Sequence, residues 1–166
     1  KIINLLQSKS KKLSINVQTN SLNYGFNIIH RKYKKVDYFS LDDRELQLFA
    51  SQKELNYEKN LKDLTKKLSA KKGFLTCGGK FSLLFNGNKF LKVPVLNQKA
   101  IDTLGAGDIF HAMASIMSTV TKDDHLNLFI SQIAGAHAVE IIGNSDFPKL
   151  NEILNTLKFY QSSLKN

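Results

Sequence analysis

The segment Ile101-Asp102-Thr103-Leu104-Gly105-Ala106-Gly107-Asp108-Ile109-Phe110 holds the residues best suited to chemistry. Gly105, Ala106 and Gly107 stand directly before an apolar stretch with helical spacing. Three small residues leave their backbone N–H groups open to an anion. The positive end of a helix dipole adds to that attraction. Asp108 falls in the first turn, where a carboxylate can accept the proton of an attacking hydroxyl. An anion cradle beside a positioned base is what phosphoryl transfer requires. The plainer alternative, glycines and an acid that only cap a helix, suffices for Gly-Ala-Gly alone but not for the whole string.

The elements around this segment follow from apolar spacing. Leu13 to Val17 alternates as a strand does, and a turn-rich loop follows from Gln18 to Gly25. Phe26 to Tyr33 is expected as a short helix, and Tyr38 to Leu41 as a buried strand. Asp42-Asp43-Arg44-Glu45 has the form of a capped helix start, an acid followed three residues later by Glu. Tyr57, Leu61, Leu64 and Leu68 mark an amphipathic helix. Gly73 to Cys77 is a strand ending at Gly78-Gly79, and Phe81–Phe85 and Lys89–Val93 flank the hairpin signal Asn86-Gly87-Asn88. Helices are expected from Gly105 to about Thr119, and from Asp123-Asp124 to about Ile142, where Gly143-Asn144 stops the second. Pro148 opens a last helix with Leu150, Ile153, Leu154 and Leu157 on one face. Alternating strands and helices predict an α/β layered fold, with a mostly parallel sheet and one β-hairpin. No internal repeat or linker interrupts residues 1–166, which are expected to form a single domain.

Composition narrows the classes. The 166 residues are 42% hydrophobic and 23% charged, a globular balance. No apolar run reaches the ~18 residues of a membrane span, and no signal peptide is recognised at the start. Cys77 is the single cysteine and forms no internal disulfide. A reducing compartment fits, so a cytoplasmic location is expected. The net charge is +10, yet Arg31 and Arg44 are the only arginines among 24 basic residues. Base and phosphate readers favour arginine. Scattered lysines therefore argue against nucleic acid, and neither nucleic-acid nor membrane partners are expected. No His/Cys pair has zinc spacing. His30 and His125 are expected at the surface. His111 is placed either near a nucleotide or in packing, and Cys77 is expected as a buried, inert thiol.

The string Asp-Thr-x-Gly-Ala-Gly-Asp-x-Phe at 102–110 resembles the signature of the PfkB carbohydrate kinases, the ribokinase-like sugar kinases. The resemblance implies the C-terminal portion of a three-layer α/β/α ribokinase-like sandwich, lacking the N-terminal sugar-binding and lid part. It makes Gly105, Ala106 and Gly107 the anion hole and Asp108 the base. Asp102 and Thr103 would lie near a monovalent-cation (K+) site and the triphosphate of ATP. Asp42 and Glu45 would occupy the Asn-x-x-Glu motif that organises Mg2+, with Asp where Asn is usual. Thr76, Gly78 and Gly79 resemble the Thr-x-Gly-x-x-Gly segment against the nucleotide, although Lys80-Phe81 stands where the later glycine belongs. Ala134, Gly135, His137 and Ala138 resemble the helix bordering adenine; plain helix packing explains each singly as well.

The polar run from Asn16 to Asn27, with Lys32-Tyr33 and Asp37-Tyr38, is similar to the heptose-phosphate kinase branch, often joined to a nucleotidylyltransferase domain and feeding lipopolysaccharide. The substrate implied is a sugar or sugar phosphate, with D-glycero-D-manno-heptose 7-phosphate, a free sugar and a nucleoside all left open. The complete protein would be a homodimer through its lid. Two rival readings stay open: a nucleotide-binding fragment without catalysis, and, from charge alone, a nucleic-acid-binding domain.

Overall fold

The computed structural model describes residues 2–18, 28–96 and 99–163. The chain divides into two compact units, Lys1–Lys92 and Val93–Asn166.

The first unit carries helices α1 (Ile2–Lys9), α2 (Ile29–Lys32), α3 (Asp43–Ala50) and α4 (Tyr57–Lys67). Its strands are β1 (Ser14–Asn16), β2 (Tyr38–Asp42), β3 (Lys72–Cys77), β4 (Phe81–Phe85) and β5 (Phe90–Pro94), in the spatial order β1-β2-β3-β4-β5. β1, β2 and β3 run parallel, and β4 turns back antiparallel on β3. The expected hairpin between β4 and β5 is present, its turn held by Asn86 Oδ1, which accepts from the N–H groups of Asn88 and Lys89. A second hairpin, absent from the sequence expectations, joins β3 to β4 through Gly78-Gly79-Lys80, with Lys80 N–H donating to Cys77 O at 3.1 Å.

β2 reads as a continuous apolar run because it lies inside the sheet and is covered on both faces. Tyr38, Phe39, Ser40 and Leu41 are all buried. The stripe expected on α4 is real: Leu61, Leu64 and Leu68 are fully buried and join Phe39, Leu46 and Leu75 in one core. Gly73 is required there, since a Cβ at that position would run into the Phe39 ring and Thr65 Oγ1. Asp37 binds the other end of the strands. It accepts from Leu13 N–H at 2.9 Å and from Lys71 Nζ at 2.7 Å. Burial alone would push its carboxyl up. The Lys71 and Leu13 hydrogen bonds and the charges of Lys71 and Lys12 outweigh that and hold it below the ordinary carboxylate value.

The second unit contains α5 (Ala106–Val120), α6 (Asp124–Ala138), a 3-10 turn (Ile142–Asn144) and α7 (Leu150–Ser163). Asp123 caps α6, accepting from His125 and Leu126 N–H. Buried Asn127 donates to Ser118 Oγ at 2.9 Å, fastening α6 to α5.

Several expectations need correction. α6 ends at Ala138, not near Ile142, because the Val139 carbonyl accepts from Ile101 and Asp102 N–H rather than from a further helical turn. α7 starts at Leu150, two residues beyond Pro148, and its apolar face is narrower than expected: Ile153 is buried, but Leu150 and Leu154 are exposed. α1 is an additional helix that buries none of its residues. The short second helix is confined to Ile29–Lys32, and Phe26 lies outside the described residues, as does most of the polar run from Asn16 to Asn27. His30 is not a surface residue. It is half-buried, edge-on to Phe49 at 5.1 Å, and its Nδ1 is enclosed. Burial, then the charges of Lys67, Arg31 and Lys34, lower its pKa. His125 is exposed, as expected. No helix among the described residues is long and apolar enough to cross a membrane.

Candidate active site

In the first unit, the site residues gather at the carboxyl ends of the parallel strands, the end where open α/β sheets bind ligands. Asp42 closes β2 and stands in register with Thr76 of β3. Asp42 also starts α3. Its Oδ1 accepts from Glu45 N–H at 2.8 Å, while Glu45 Oε2 accepts from Asp42 N–H at 3.0 Å. This is the capping box predicted from the spacing. Glu45 is buried by this arrangement.

One residue beyond Thr76, Cys77 is buried and its thiol is pushed up to about 12. Burial dominates, Asp43 adds to it, and Lys80 and Lys92 pull the other way. The thiol is therefore inert at neutral pH, as expected. Gly78 adopts φ 51°, and a Cβ on Gly78 or Gly79 would meet nothing within 4 Å. Both glycines are exposed, so the backbone of this turn is open to a ligand. Phe81, in place of the family's later glycine, packs edge-on to Tyr57 at 5.5 Å, with Lys92 Nζ 4.0 Å over its ring.

In the second unit, Gly105 is the N-cap of α5 at φ 76°, ψ −8°, with no side chain capping the helix. That left-handed conformation suits glycine. Gly107 has open space around its missing Cβ. Gly107 and Asp108 are exposed, and Asp108 is the acid of the first turn. Thr103 is exposed on the approach to this turn.

Asp102 sets the loop. Its Oδ1 accepts from Leu104 N–H at 2.9 Å and its Oδ2 from Gly143 N–H at 2.8 Å. These backbone bonds hold its carboxyl below the ordinary value. The tie to Gly143 was missed by sequence reasoning, because it joins positions 41 residues apart.

α6 presents Gly135 to α5, where a Cβ would sit 3.7 Å from Phe110 Cβ, an ordinary contact. Ala134 is fully buried with Ile133 and Ile153. His137 instead reaches a cavity of about 320 Å³ lined by Leu96, Ile133, Ala136, Glu140, Thr156 and Tyr160. His137 Nε2 lies 2.9 Å from Thr156 Oγ1, and its Nδ1 lies 3.5 Å from Glu140 Oε2. Thr156 and Tyr160 were not singled out from sequence. Their only signal is the helical spacing that also carries Ile153.

No three His, Cys, Asp or Glu side chains among the described residues form a metal-binding group. Asp42 and Glu45 form a pair, whereas Asp102 is engaged by two backbone N–H groups in the other unit. One or two carboxylates fit Mg2+ when phosphate and water complete its shell.

The profile described as pfkB family carbohydrate kinase matches residues 5–127. The chain belongs to the pfkB family of carbohydrate kinases. Among pfkB-type relatives, a ribokinase from Lactococcus lactis subsp. lactis is 26% identical over 130 residues, 78% of this chain and 41% of that protein. The ribokinase structure from Thermotoga maritima superposes with a TM-score of 0.77 at 22% identity, covering 95% of this chain and 52% of the other. The Arabidopsis thaliana ribokinase complexed with ribose and ATP gives 0.75 at 22% identity, covering 89% and 47%. These likenesses establish the ribokinase-like α/β fold. The chain spans about half the length of the relatives it matches.

Proposed function

We propose that this chain carries the nucleotide and phosphoryl-transfer half of an ATP-dependent sugar kinase, an incomplete PfkB domain without most of the sugar-binding part. The observation that carries the proposal is the start of α5. A left-handed Gly105 opens the helix, small residues come next, and an exposed Asp108 stands one turn in.

In this reading Asp108 takes the proton from a sugar hydroxyl as the hydroxyl oxygen bonds to the γ-phosphorus of ATP. The bond to the β–γ bridging oxygen breaks, and ADP leaves. The N–H groups of Gly105 and Gly107 stabilise charge on the transferred group, while that of Ala106 donates to Thr103 O at 3.4 Å. Asp102 holds this loop in shape through Leu104 and Gly143. Thr103 borders the triphosphate, and Thr76 with the open Gly78-Gly79 backbone lies against the nucleotide. The cavity at His137 accepts the base; its apolar walls and hydroxyl and imidazole groups suit a heteroaromatic ring. Mg2+ bound with ATP neutralises the triphosphate, with Asp42 and Glu45 ordering its waters. A monovalent cation such as K+ is assigned beside Asp102, whose carboxylate oxygens retain lone pairs beyond the two N–H bonds.

The acceptor is a sugar or a sugar phosphate, with D-glycero-D-manno-heptose 7-phosphate the specific candidate, as a precursor of surface glycans. The polar amides of the 16–27 run support it, each offering donor and acceptor to a polyhydroxylated ligand.

The test is ADP formation from Mg-ATP over a sugar panel that includes heptose phosphates. It is run on this chain and on the longest polypeptide that carries it. Turnover by the longer polypeptide with loss in Asp108→Asn is the expected result. ATP binding with no turnover by either would favour a binding fragment instead.

A further inference from the structure

We propose that the edge of the first unit at the amino ends of β1, β2 and β3, together with α1, is a docking surface for an anionic lipid bilayer.

The Lys-Lys pairs of the sequence stand at 11–12, 34–35, 66–67 and 71–72, far apart along the chain. The topology gathers them. β1, β2 and β3 run parallel, and the pairs at 11–12, 34–35 and 71–72 fall just before or at the start of each strand. Lys66 and Lys67 end α4, which returns the chain to that same edge. Observed contacts join the pairs. Lys12 Nζ and Lys71 Nζ share Asp37 Oδ1, at 4.0 and 2.7 Å. Val36 N–H donates to Leu68 O at 3.2 Å, which brings the 34–35 and 66–67 segments side by side. The charges of Lys34 and Lys67 both act on His30. All of these lysines except the half-buried Lys72 are exposed. Asp37 is already engaged by its lysines, and Asp63, one turn before Lys67, offsets only part of the charge.

α1 supplies the apolar component. It buries none of its residues, and Ile2, Leu5 and Leu6 are 75%, 57% and 48% exposed. Their spacing puts them on one helical face. Gln7 Nε2 donates to Lys35 O at 3.0 Å, which fastens the helix beside the lysines. An exposed apolar helix face next to clustered lysines is the make-up of an interfacial anchor. The apolar side chains enter the headgroup boundary, and the ammonium groups meet anionic lipid. A nucleic-acid duplex would use the lysines alone and leave Leu5 and Leu6 in water. Asp42 and Thr76 lie at the opposite ends of β2 and β3, so docking by this edge leaves the candidate site clear.

The test is co-sedimentation of the longest polypeptide carrying this chain with two kinds of vesicle. One is phosphatidylcholine alone; the other is about seven parts phosphatidylcholine to three of phosphatidylserine. The anionic vesicles should bind at least about tenfold more tightly, and ~0.5 M salt should release most of the protein. Lys34→Gln/Lys67→Gln should weaken binding about 25-fold, roughly fivefold per lysine. Lys122→Gln/Lys158→Gln, equal in net charge but outside this edge, should change it less than about twofold. Leu5→Gln/Leu6→Gln should weaken it about tenfold. No preference for anionic vesicles would overturn the proposal, as would equal losses from the two lysine variants. Duplex DNA bound as tightly as the anionic vesicles, with the leucine change without effect, would replace the bilayer by a polyanion. Should the leucine variant melt early, Leu5→Ala decides: unchanged vesicle binding in that folded variant would also overturn it. Vesicle binding needs no turnover, so its failure and that of the kinase reading are separate results.

Discussion

Two helix N-termini in this chain are built in opposite ways. α3 is sealed by its own side chains: Asp42 and Glu45 each satisfy the other's backbone N–H. α5 starts at Gly105, which has no side chain to offer, and its first turn faces open space at Gly107. A helix end has four N–H groups without internal partners. Spending them on a capping box gives local stability. At α5 no side chain takes them up, and only the Ala106 N–H is met by the loop, at Thr103 O; under the proposed function the rest serve an anion. Under the proposed function, the difference separates a terminus that positions from one that binds. It is legible only when the cap residue is read together with the first turn of its helix.

The largest test of this contrast is Asp108→Asn, which should lower kcat by about 10²- to 10⁴-fold, the range of general-base catalysis. Equilibrium ATP binding should stay within a few-fold, so calorimetry beside steady-state kinetics checks it. Next comes Gly73→Ala, remote from both termini, which overpacks the core beneath β2 and β3. A destabilisation of about 1–3 kcal/mol is expected in denaturant melts, with both termini weakened only through loss of fold. Gly105→Ala forces a Cβ into a left-handed cap, at a cost of about 1–2 kcal/mol; here ATP binding should fall more than stability. Asp42→Ala is the counterpart. It should lower stability by about 1 kcal/mol through the lost cap and leave any binding of inorganic phosphate at α5 unchanged. Equal effects of these last two changes on both readouts would erase the distinction.

The smallest effect is at Asp37. Its folded carboxyl titrates below the unfolded value, so its contribution is present above the ordinary carboxylate range and fades as pH falls through the folded value. Asp37→Asn should therefore reduce stability at neutral pH and make no difference in strong acid, measured by melting at a series of pH values.

Much of this was readable from local pattern. The capping box, the α4 stripe, the Asn86 turn and the Gly-Ala-Gly-Asp start depend on residues within one or two turns of each other. The features that escaped depend on distant partners. α6 stops early because Val139 and Gly143 bond to the 101–102 segment, and no periodicity in α6 announces that exchange. His30 reads as polar and free in sequence because its neighbour Phe49 is nineteen positions away along the chain and 5.1 Å away in space. α1 has apolar residues but buries none, so its pattern had no core to report.

The bonds from Ile101 and Asp102 to Val139, and from Gly143 to Asp102, also set an order of events. The loop in front of α5 is written early in this unit, but the groups that hold it are not made until residue 143 has been added. At about 5–20 residues per second of synthesis, the loop waits seconds for its partners. The turn that opens α5 is thus among the last parts of the unit to acquire its shape as the chain grows.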